Sequence, residues 1–199
     1  MGNKMYKKNK LVCGVGINDV DYTVQPTVNG KRITCPYYRK WRNMLRRCYS
    51  DKYHETHPTY IGVTVCNEWK YFSNFKRWVD EQGVENWEKL NLDKDFLVKD
   101  NKVYSSDTCV FIPQGVNNFI TDRERARGSL PLGVCMSKGR YVAQISNPFI
   151  HKLKNLGYYS TSEEAHLVWK TKKHEYACKL AETVSDKRIA DRLRTMYAI

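Results

Sequence analysis

Residues 92–118 read LDKDFLVKDNKVYSSDTCVFIPQGVNN and fall within four segments of different character. LNLDKDFLVK, residues 90–99, predicts a β-strand, and DNKVYSSD, residues 100–107, predicts a loop and turn. TCVFIP, residues 108–113, predicts a second strand. QGVNNFITDRERAR, residues 114–127, comes directly after a proline and predicts a helix. The stretch therefore predicts a small finger with the order strand, loop, strand, helix.

Two amphipathic helices are predicted before the finger. In YYRKWRNMLRRCYSD, after Pro36, the apolar residues Trp41, Met44, Leu45 and Cys48 recur at helical spacing. In NEWKYFSNFKRWVDEQG, residues 67–83, a similar stripe consists of Trp69, Phe72, Phe75 and Val79. A polar loop with His54 and His57 is predicted at 51–63. In the β-rich lead-in, Asn29-Gly30 lies between β-branched residues and predicts a hairpin.

A second module is predicted after the finger. LGVCMS, RYVAQISN and KLKNLGYY, within residues 132–159, predict three short strands. Thr161 and Glu164 have the spacing of a helix capping box, and the helix after them has one apolar stripe. We therefore predict an α+β chain with a lead-in at 1–35, a finger domain at 36–125 and a sheet-and-helix domain at 130–199. The segment 123–131 is the predicted linker.

The charge of the chain favours a polyanionic partner. Lys and Arg number 34 against 21 Asp and Glu, which gives a net charge of +13 and a pI near 9.4. Residues 91–125 contain five basic and six acidic residues, so this segment alone is at −1. A slightly acidic segment in a basic protein is typical of a metal site beside a phosphate-binding surface, and also of a solvated loop.

Seven scattered cysteines without a CxxC pair favour reduced thiols over disulfides, and a structural zinc site is not expected. The basic start MGNKMYKKNK is followed by an apolar stretch, LVCGVG, that is too short for a signal peptide or a membrane span. We therefore expect a cytoplasmic protein without a membrane partner, in the cytoplasm of a host cell if a phage encodes it.

Four segments carry a resemblance to a known family: WRNMLRRCYS (41–50), VCNEWKYFSNF (65–75), LDKD (92–95) and NKVYSSDTCVF (101–111). Together with Asn117-Asn118 they make residues 36–118 resemble phage-borne HNH-like proteins of the homing-endonuclease type. Such a finger holds one divalent metal ion, Mg²⁺ or a similar ion, between a strand acid and a helix amide. A histidine activates water, and a loop asparagine orients that histidine.

The resemblance implies roles for individual residues. Asp93 would be the metal ligand on the first strand, Asn118 or its neighbour Asn117 the ligand on the helix, and Asn101 the loop asparagine. Lys94 stands where the family has its general-base histidine. Lysine side chains ordinarily titrate at about pH 10.4, so a lysine cannot take a proton from water at neutral pH. Lys94 could still contact phosphate or stabilise developing charge.

Three explanations of this departure remain open. The finger could be catalytically inactive and serve only as a DNA-binding scaffold. Asp95, which an extended strand would place on the same face as Asp93, could help to hold the metal ion, with metal-bound hydroxide replacing the histidine. His54 or His57 could supply the missing base from the preceding loop.

LGVCMSKGRYVAQISN followed by LGYYSTSEEAHLVWK makes residues 130–183 resemble APETALA/ERF-type DNA-binding domains. The resemblance implies that a three-stranded sheet enters the major groove. Strand alternation predicts that Tyr141, Ala143 and Ile145 face the helix, and that Arg140, Val142, Gln144 and Ser146 face outward. The predicted DNA contacts of the whole chain are Arg39, Arg42, Arg46, Arg47, Lys138, Arg140, Gln144, Lys152, Lys154 and Asn155.

Three functions follow as hypotheses. The first is a metal-dependent endonuclease that hydrolyses phosphodiester bonds of double-stranded DNA. The second is a DNA-binding protein with a regulatory role and a degenerate finger that does not cut. The third is a protein that uses its basic, aromatic surface against a host protein or ribonucleoprotein.

Overall fold

The computed structural model describes residues 11–121 and 129–198, and it shows an α+β protein. The chain divides into two compact units, with the boundary between Phe111 and Ile112. We call residues up to Phe111 the first unit and residues from Ile112 the second unit. The predicted linker 123–131 lies mostly outside the described residues.

The lead-in of the first unit contains the predicted hairpin. Strand β1 (Thr27–Val28) pairs antiparallel with β2 (Lys31–Arg32). Asn29 and Gly30, which connect the strands, have φ angles of 49° and 73°. A two-residue turn with both residues at positive φ matches the twist of a hairpin, so the Asn-Gly prediction is confirmed.

Helix α1 (Pro36–Tyr49) buries its predicted stripe, and the side chains of Trp41, Met44, Leu45 and Cys48 form the centre of the first-unit core. The indole of Trp41 donates a hydrogen bond to the carbonyl of Trp69 at 2.6 Å. The predicted loop at 51–63 is wrong, because α2 (Asp51–Thr56) begins there. Ser50 caps α2 by accepting a hydrogen bond from the backbone N–H of Tyr53.

The second predicted helix is divided. A 3-10 turn (Glu68–Lys70) follows strand β3 (Thr64–Val65), and helix α3 (Phe72–Glu81) comes after it. The stripe predicted for this helix is buried, as expected. Gly83, at a φ of 59°, follows the end of α3 and terminates the segment as predicted.

The strands of the finger are shorter than predicted. Strand β4 (Asn91–Asp93) pairs with β6 (Val110–Ile112), whereas β5 (Val103–Tyr104) lies in the predicted loop and pairs parallel with β3. The prediction of a strand as far as residue 99 is wrong. The carboxylate of Asp93 accepts hydrogen bonds from the backbone N–H groups of Asp95 and Phe96, so the chain turns directly after β4.

The second unit begins with the last residue of β6 and with helix α4 (Gln114–Ile120), which starts directly after Pro113 as predicted. The predicted helix was longer, and its residues 122–127 lie outside the described part of the chain. The finger helix was predicted in one domain with the finger strands, but it belongs by its contacts to the second unit. In that unit Lys173 donates a hydrogen bond to the carbonyl of Phe119.

The predicted three-stranded sheet is confirmed. Strands β7 (Val134–Ser137), β8 (Arg140–Ser146) and β9 (Leu153–Tyr159) are antiparallel in that order. Helix α5 (Ser162–Ala181) packs on the sheet, and the Thr161–Glu164 capping box is formed in both directions. Helix α6 (Lys187–Thr195) is capped by the side chain of the preceding Asp186, and it packs on α5.

The alternation predicted for β8 is only partly right. Ala143 and Ile145 are buried as expected, but Val142, predicted to face outward, is also buried with 1% of its surface exposed. Val142 lies on the central strand, with Cys135 and Tyr158 as its cross-strand partners. The face predicted to be free is therefore not a continuous polar surface.

Candidate metal and nucleic-acid site

The four residues predicted to do the chemistry of the finger lie together in the first unit. Asp93 ends β4 and is half-buried, Lys94 follows it and is buried, and Asp95 is exposed. The amide nitrogen of Asn101 donates to the carbonyl of Lys94 at 2.7 Å. Asn101 thus holds the backbone of Lys94, and its role as the loop asparagine of an HNH-type site stays a prediction.

Two neighbouring carboxylates in this site have pKa values that are shifted in opposite directions. Burial, together with the hydrogen bond and the negative charge of Asp95, raises the pKa of Asp93 to about 6. Burial acts in the same direction on Asp95, but the Lys94 ammonium and the hydrogen bond with Asp93 outweigh it and hold the pKa of Asp95 below its usual value. A proton shared by the pair therefore resides on Asp93.

The side chain of Lys94 is buried and forms an ion pair. Its side chain is 9% exposed, and its Nζ atom lies 2.9 Å from Oδ2 of Asp95. Burial of an ammonium is costly unless a partner compensates it, and Asp95 is that partner. The position that the resemblance predicts to hold a general base thus holds a paired cation.

The two histidines considered as substitutes lie on α2 (His54) and directly after it (His57), so only the predicted loop around them is wrong. His54 Nε2 is 2.8 Å from the carbonyl oxygen of Arg47, at the end of α1. The His57 ring stacks on Tyr53 with 4.1 Å between ring centroids. Both rings are thus engaged by α1 and α2.

The predicted helix ligands belong to the second unit. Asn118 is exposed, and its Oδ1 atom accepts a hydrogen bond from the Gln114 amide at 2.6 Å. Asn117 is half-buried, and its carbonyl accepts a hydrogen bond from the Thr121 hydroxyl at 2.7 Å. The joint coordination of one metal ion by Asp93 and either asparagine stays a prediction.

The donor atoms of the finger suit a hard divalent cation. Carboxylate oxygens are the ligands that Mg²⁺ takes from proteins, and Asp93 and Asp95 supply two such groups side by side. Within residues 11–121 and 129–198, no group of three or more His, Cys, Asp or Glu side chains could surround a metal ion. Any cation held here would keep most of its water ligands.

Helix α1 presents a basic surface in the first unit. Arg39, Arg42 and Arg46 are exposed and lie three and four residues apart, so they share one face of the helix. Arg47 was predicted to join them but is half-buried, with its guanidinium 3.5 Å from the Tyr104 hydroxyl and near the Tyr60 ring. Arg47 therefore packs within the first unit and is not part of the exposed basic surface of α1.

The predicted DNA contacts of the second unit fall into two groups. Lys138, Lys152, Lys154 and Asn155 are exposed, and Lys138 occupies the turn between β7 and β8 at a φ of 50°. Arg140 is exposed but donates to the Tyr158 carbonyl at 3.2 Å. Gln144 is half-buried and lines a cavity whose wall includes residues of α5, so it does not point freely outward as predicted.

Sequence reasoning missed Lys173. This lysine of α5 is buried, with its ammonium 3.8 Å from the ring centroid of Phe119 and 5.2 Å from that of Tyr197. The pattern of α5 gave a weak signal, because Lys173 falls four residues after the buried Trp169 and three before Tyr176. A lysine in register with a buried stripe indicates a cation in contact with the core.

Comparison with known proteins adds no relatives. No protein-family model, curated protein sequence or solved structure matches this chain. In the described parts of the chain, 11–121 and 129–198, no helix has both the length and the apolar character needed to cross a membrane.

Proposed function

We propose that the protein binds double-stranded DNA through a finger of the HNH type that does not cut. The observation that carries this proposal is the state of Lys94: it stands at the general-base position, is buried, and is paired with Asp95. A general base must be able to accept a proton within hydrogen-bond reach of its target. A buried, ion-paired ammonium does not meet that requirement.

Charge supports DNA as the partner. The chain carries +13, and exposed basic residues occur in both units: Arg39, Arg42 and Arg46 on α1, and Lys138, Lys152 and Lys154 on the sheet. Contacts of Lys and Arg with phosphate release counterions and supply most of non-specific affinity. Such contacts position a protein on the duplex, and any sequence preference requires separate contacts to base edges.

The proposal is tested with one protein sample and two measurements. Fluorescence anisotropy with a labelled duplex is expected to show binding that weakens linearly, on logarithmic axes, as salt increases. Supercoiled plasmid with Mg²⁺ or Mn²⁺ is expected to remain uncut. Nicking that disappears in Asp93→Ala would overturn the proposal, and a lack of salt-dependent DNA binding would favour a host protein or ribonucleoprotein as partner.

A second candidate, metal-dependent phosphodiester hydrolysis, is favoured by the adjoining carboxylates of Asp93 and Asp95. The raised pKa of Asp93 indicates that its ionised form is destabilised in this site, and a bound cation would stabilise that form. A divalent ion bound there would polarise a phosphate oxygen and acidify its own water. Asp93 and Asp95 would hold that ion, and the plasmid assay distinguishes this candidate from the first.

We also propose that the protein works in a reducing compartment such as the cytoplasm. All seven cysteines, from Cys13 to Cys178, are free, and burial raises the pKa of the Cys48 thiol to about 12. Buried, protonated thiols are inert packing groups. Mass spectrometry of alkylated protein from cells is expected to find that all seven thiols become modified after unfolding and that none is lost to disulfides.

A further inference from the structure

The second unit contains a cavity of about 220 Å³ that the proposed function does not use. Its walls come from α4, from the end of β8 with the loop after it, and from α5. Pockets for drug-sized ligands are larger, about 300–1,000 Å³, so this cavity suits a ligand with one compact ring system. The side chains that matter here are those of Asn118, Phe119, Gln144, His151, Trp169 and Lys173.

Aromatic rings form part of the wall. Phe119 and Trp169 are buried except for 6% of each surface, so both rings are held rigidly by the fold. Trp169 lies directly against Gly133, where an added Cβ would approach the indole within 1.9 Å. The Trp169 ring is also stacked on the His166 ring, with 5.5 Å between the ring centroids. Trp169 and Phe119 therefore present rigid aromatic edges to the cavity, against which the face of a flat heterocycle can pack.

Two amide side chains, Asn118 and Gln144, supply polar edges. Each carries one acceptor oxygen and a donor NH₂ group, the combination that pairs with the donor–acceptor edge of a nucleobase. The Asn118 oxygen already accepts a hydrogen bond from Gln114, which fixes the orientation of the amide. Because Asn118 comes from α4 and Gln144 from β8, the two amides approach the cavity from different elements.

Positive charge lies at the same wall. Lys173 is buried, and its ammonium donates to the Phe119 carbonyl and lies 5.6 Å from the Trp169 ring centroid. An ammonium buried among rings is stabilised further by an anionic ligand nearby. His151 lines the same cavity and is exposed, and the lysines at 152 and 154 follow it on the surface.

We propose that this cavity binds a single mononucleotide unit, with the base between the aromatic wall and the two amides, and the phosphate on the side of the basic residues. The unit could be a free 5′-mononucleotide or an unpaired nucleotide of DNA, since both present the same base and phosphate. The proposal goes beyond duplex binding and does not depend on it.

The test follows the side-chain indole N–H signal of Trp169 by NMR, assigned with Trp169→Phe, while ligands are added to the full chain. Adenosine, guanosine, cytidine and thymidine 5′-monophosphates are compared with ribose 5-phosphate, which lacks a base. At least one mononucleotide is expected to shift the signal saturably at millimolar concentration or below. If no mononucleotide shifts it, or if ribose 5-phosphate shifts it equally, the proposal is overturned.

Variants and DNA ligands complete the experiment. Asn118→Ala, on an exposed position, and Gln144→Leu are each expected to weaken mononucleotide binding about fivefold or more, whereas Gln25→Leu in the first unit leaves it unchanged. Equal binding by Asn118→Ala and the unmodified protein would contradict the proposal even if Gln144→Leu does not fold. The last comparison uses a duplex with one unpaired adenine, with a fully paired duplex as the control. If the unpaired adenine shifts the Trp169 signal more strongly than free mononucleotide does, DNA is the source of the ligand. If free mononucleotide shifts the signal more strongly, the free nucleotide is the ligand.

Discussion

Asn101 and Lys94 are joined by a hydrogen bond of 2.7 Å from the side-chain amide of the first to the carbonyl of the second. The same amide nitrogen donates to the Val103 carbonyl at 2.7 Å, and its oxygen accepts from the Val103 N–H at 3.2 Å. One side chain therefore connects the turn after β4 to β5.

Removal of this amide is expected to weaken the finger. Asn101→Ala removes the hydrogen bonds that Asn101 makes with the Lys94 carbonyl and the Val103 N–H, whereas the Val103 carbonyl keeps the Thr108 hydroxyl as a donor. We expect a loss of about 1–3 kcal/mol in the free energy of unfolding. Urea denaturation followed by tryptophan fluorescence measures it. Asn101→Asp keeps only the acceptor, so its free energy of unfolding should fall between those of the unmodified protein and Asn101→Ala. An unchanged denaturation midpoint for Asn101→Ala would contradict the assigned role.

The parts of the fold that were predictable from sequence have local causes. The apolar stripe of α1, the Asn29-Gly30 turn and the Thr161–Glu164 capping box each depend on residues a few positions apart, and the structure contains all three. The three strands of the second unit follow from short β-prone segments between turn residues in the same way.

The errors occur where a side chain overrides the local pattern. Asp93 captures the next backbone N–H groups and ends β4, so Asp95 cannot share a strand face with it. The burial of Lys94 depends on an ion pair that composition does not reveal. The cavity at Gln144 depends on contacts between α4 and α5, such as that between Phe119 and Lys173, which are 54 residues apart in sequence.

Asp93 is expected to reduce stability at neutral pH. Its pKa is raised to about 6, against about 3.8 in an unfolded chain, so the folded protein binds the proton more tightly. The contribution of this group to stability is therefore highest below about pH 4 and falls as pH rises through about 6. Asp93→Asn keeps the acceptor oxygen for the two backbone N–H groups and removes the charge.

We accordingly expect Asp93→Asn to raise the free energy of unfolding by about 1–3 kcal/mol at about pH 7.5, with the difference shrinking towards about pH 4.5. Urea denaturation at a series of pH values measures this, with the exposed Asp107→Asn as the matched control. If Asp93→Asn is less stable than the unmodified protein at neutral pH, the carboxylate is engaged by a cation or donor that compensates its charge.

Lys94→His tests whether the lysine at this one position keeps the proposed finger from cutting DNA. An imidazole at this position would supply a group that can accept a proton near neutral pH, next to the carboxylates of Asp93 and Asp95. We expect plasmid nicking that requires Mg²⁺ or Mn²⁺ and is absent in the double variant Asp93→Ala, Lys94→His. Lys94→Gln controls for loss of the ion pair, and nicking by Lys94→Gln would attribute any activity to the carboxylates alone.

The exposed arginines of α1 are expected to contribute to DNA affinity by neutralising phosphates. Replacement of Arg39, Arg42 and Arg46 by glutamine should reduce the slope of log affinity against log salt by about 0.9 for each phosphate that is no longer neutralised, without altering any sequence preference. The matched control replaces Arg77, Lys99 and Lys102, three exposed basic residues of the same unit. An equal effect of the two triple variants would show that net charge, and not the α1 surface, governs binding.

Alanine substitutions at Gly133 and Gly139 distinguish a steric clash from backbone strain in the second unit. Both have positive φ angles, 73° and 75°, but an added Cβ at Gly133 would lie 1.9 Å from the Trp169 indole, whereas at Gly139 it would meet no atom within 4 Å. Gly139→Ala should cost about 1–2 kcal/mol for the left-handed backbone alone, and Gly133→Ala at least about 2 kcal/mol more, because Trp169 must move. Thermal denaturation of the two variants gives the comparison. Similar losses would mean that Trp169 is not fixed against the sheet, and a loosely held indole could not serve as a rigid wall of the cavity.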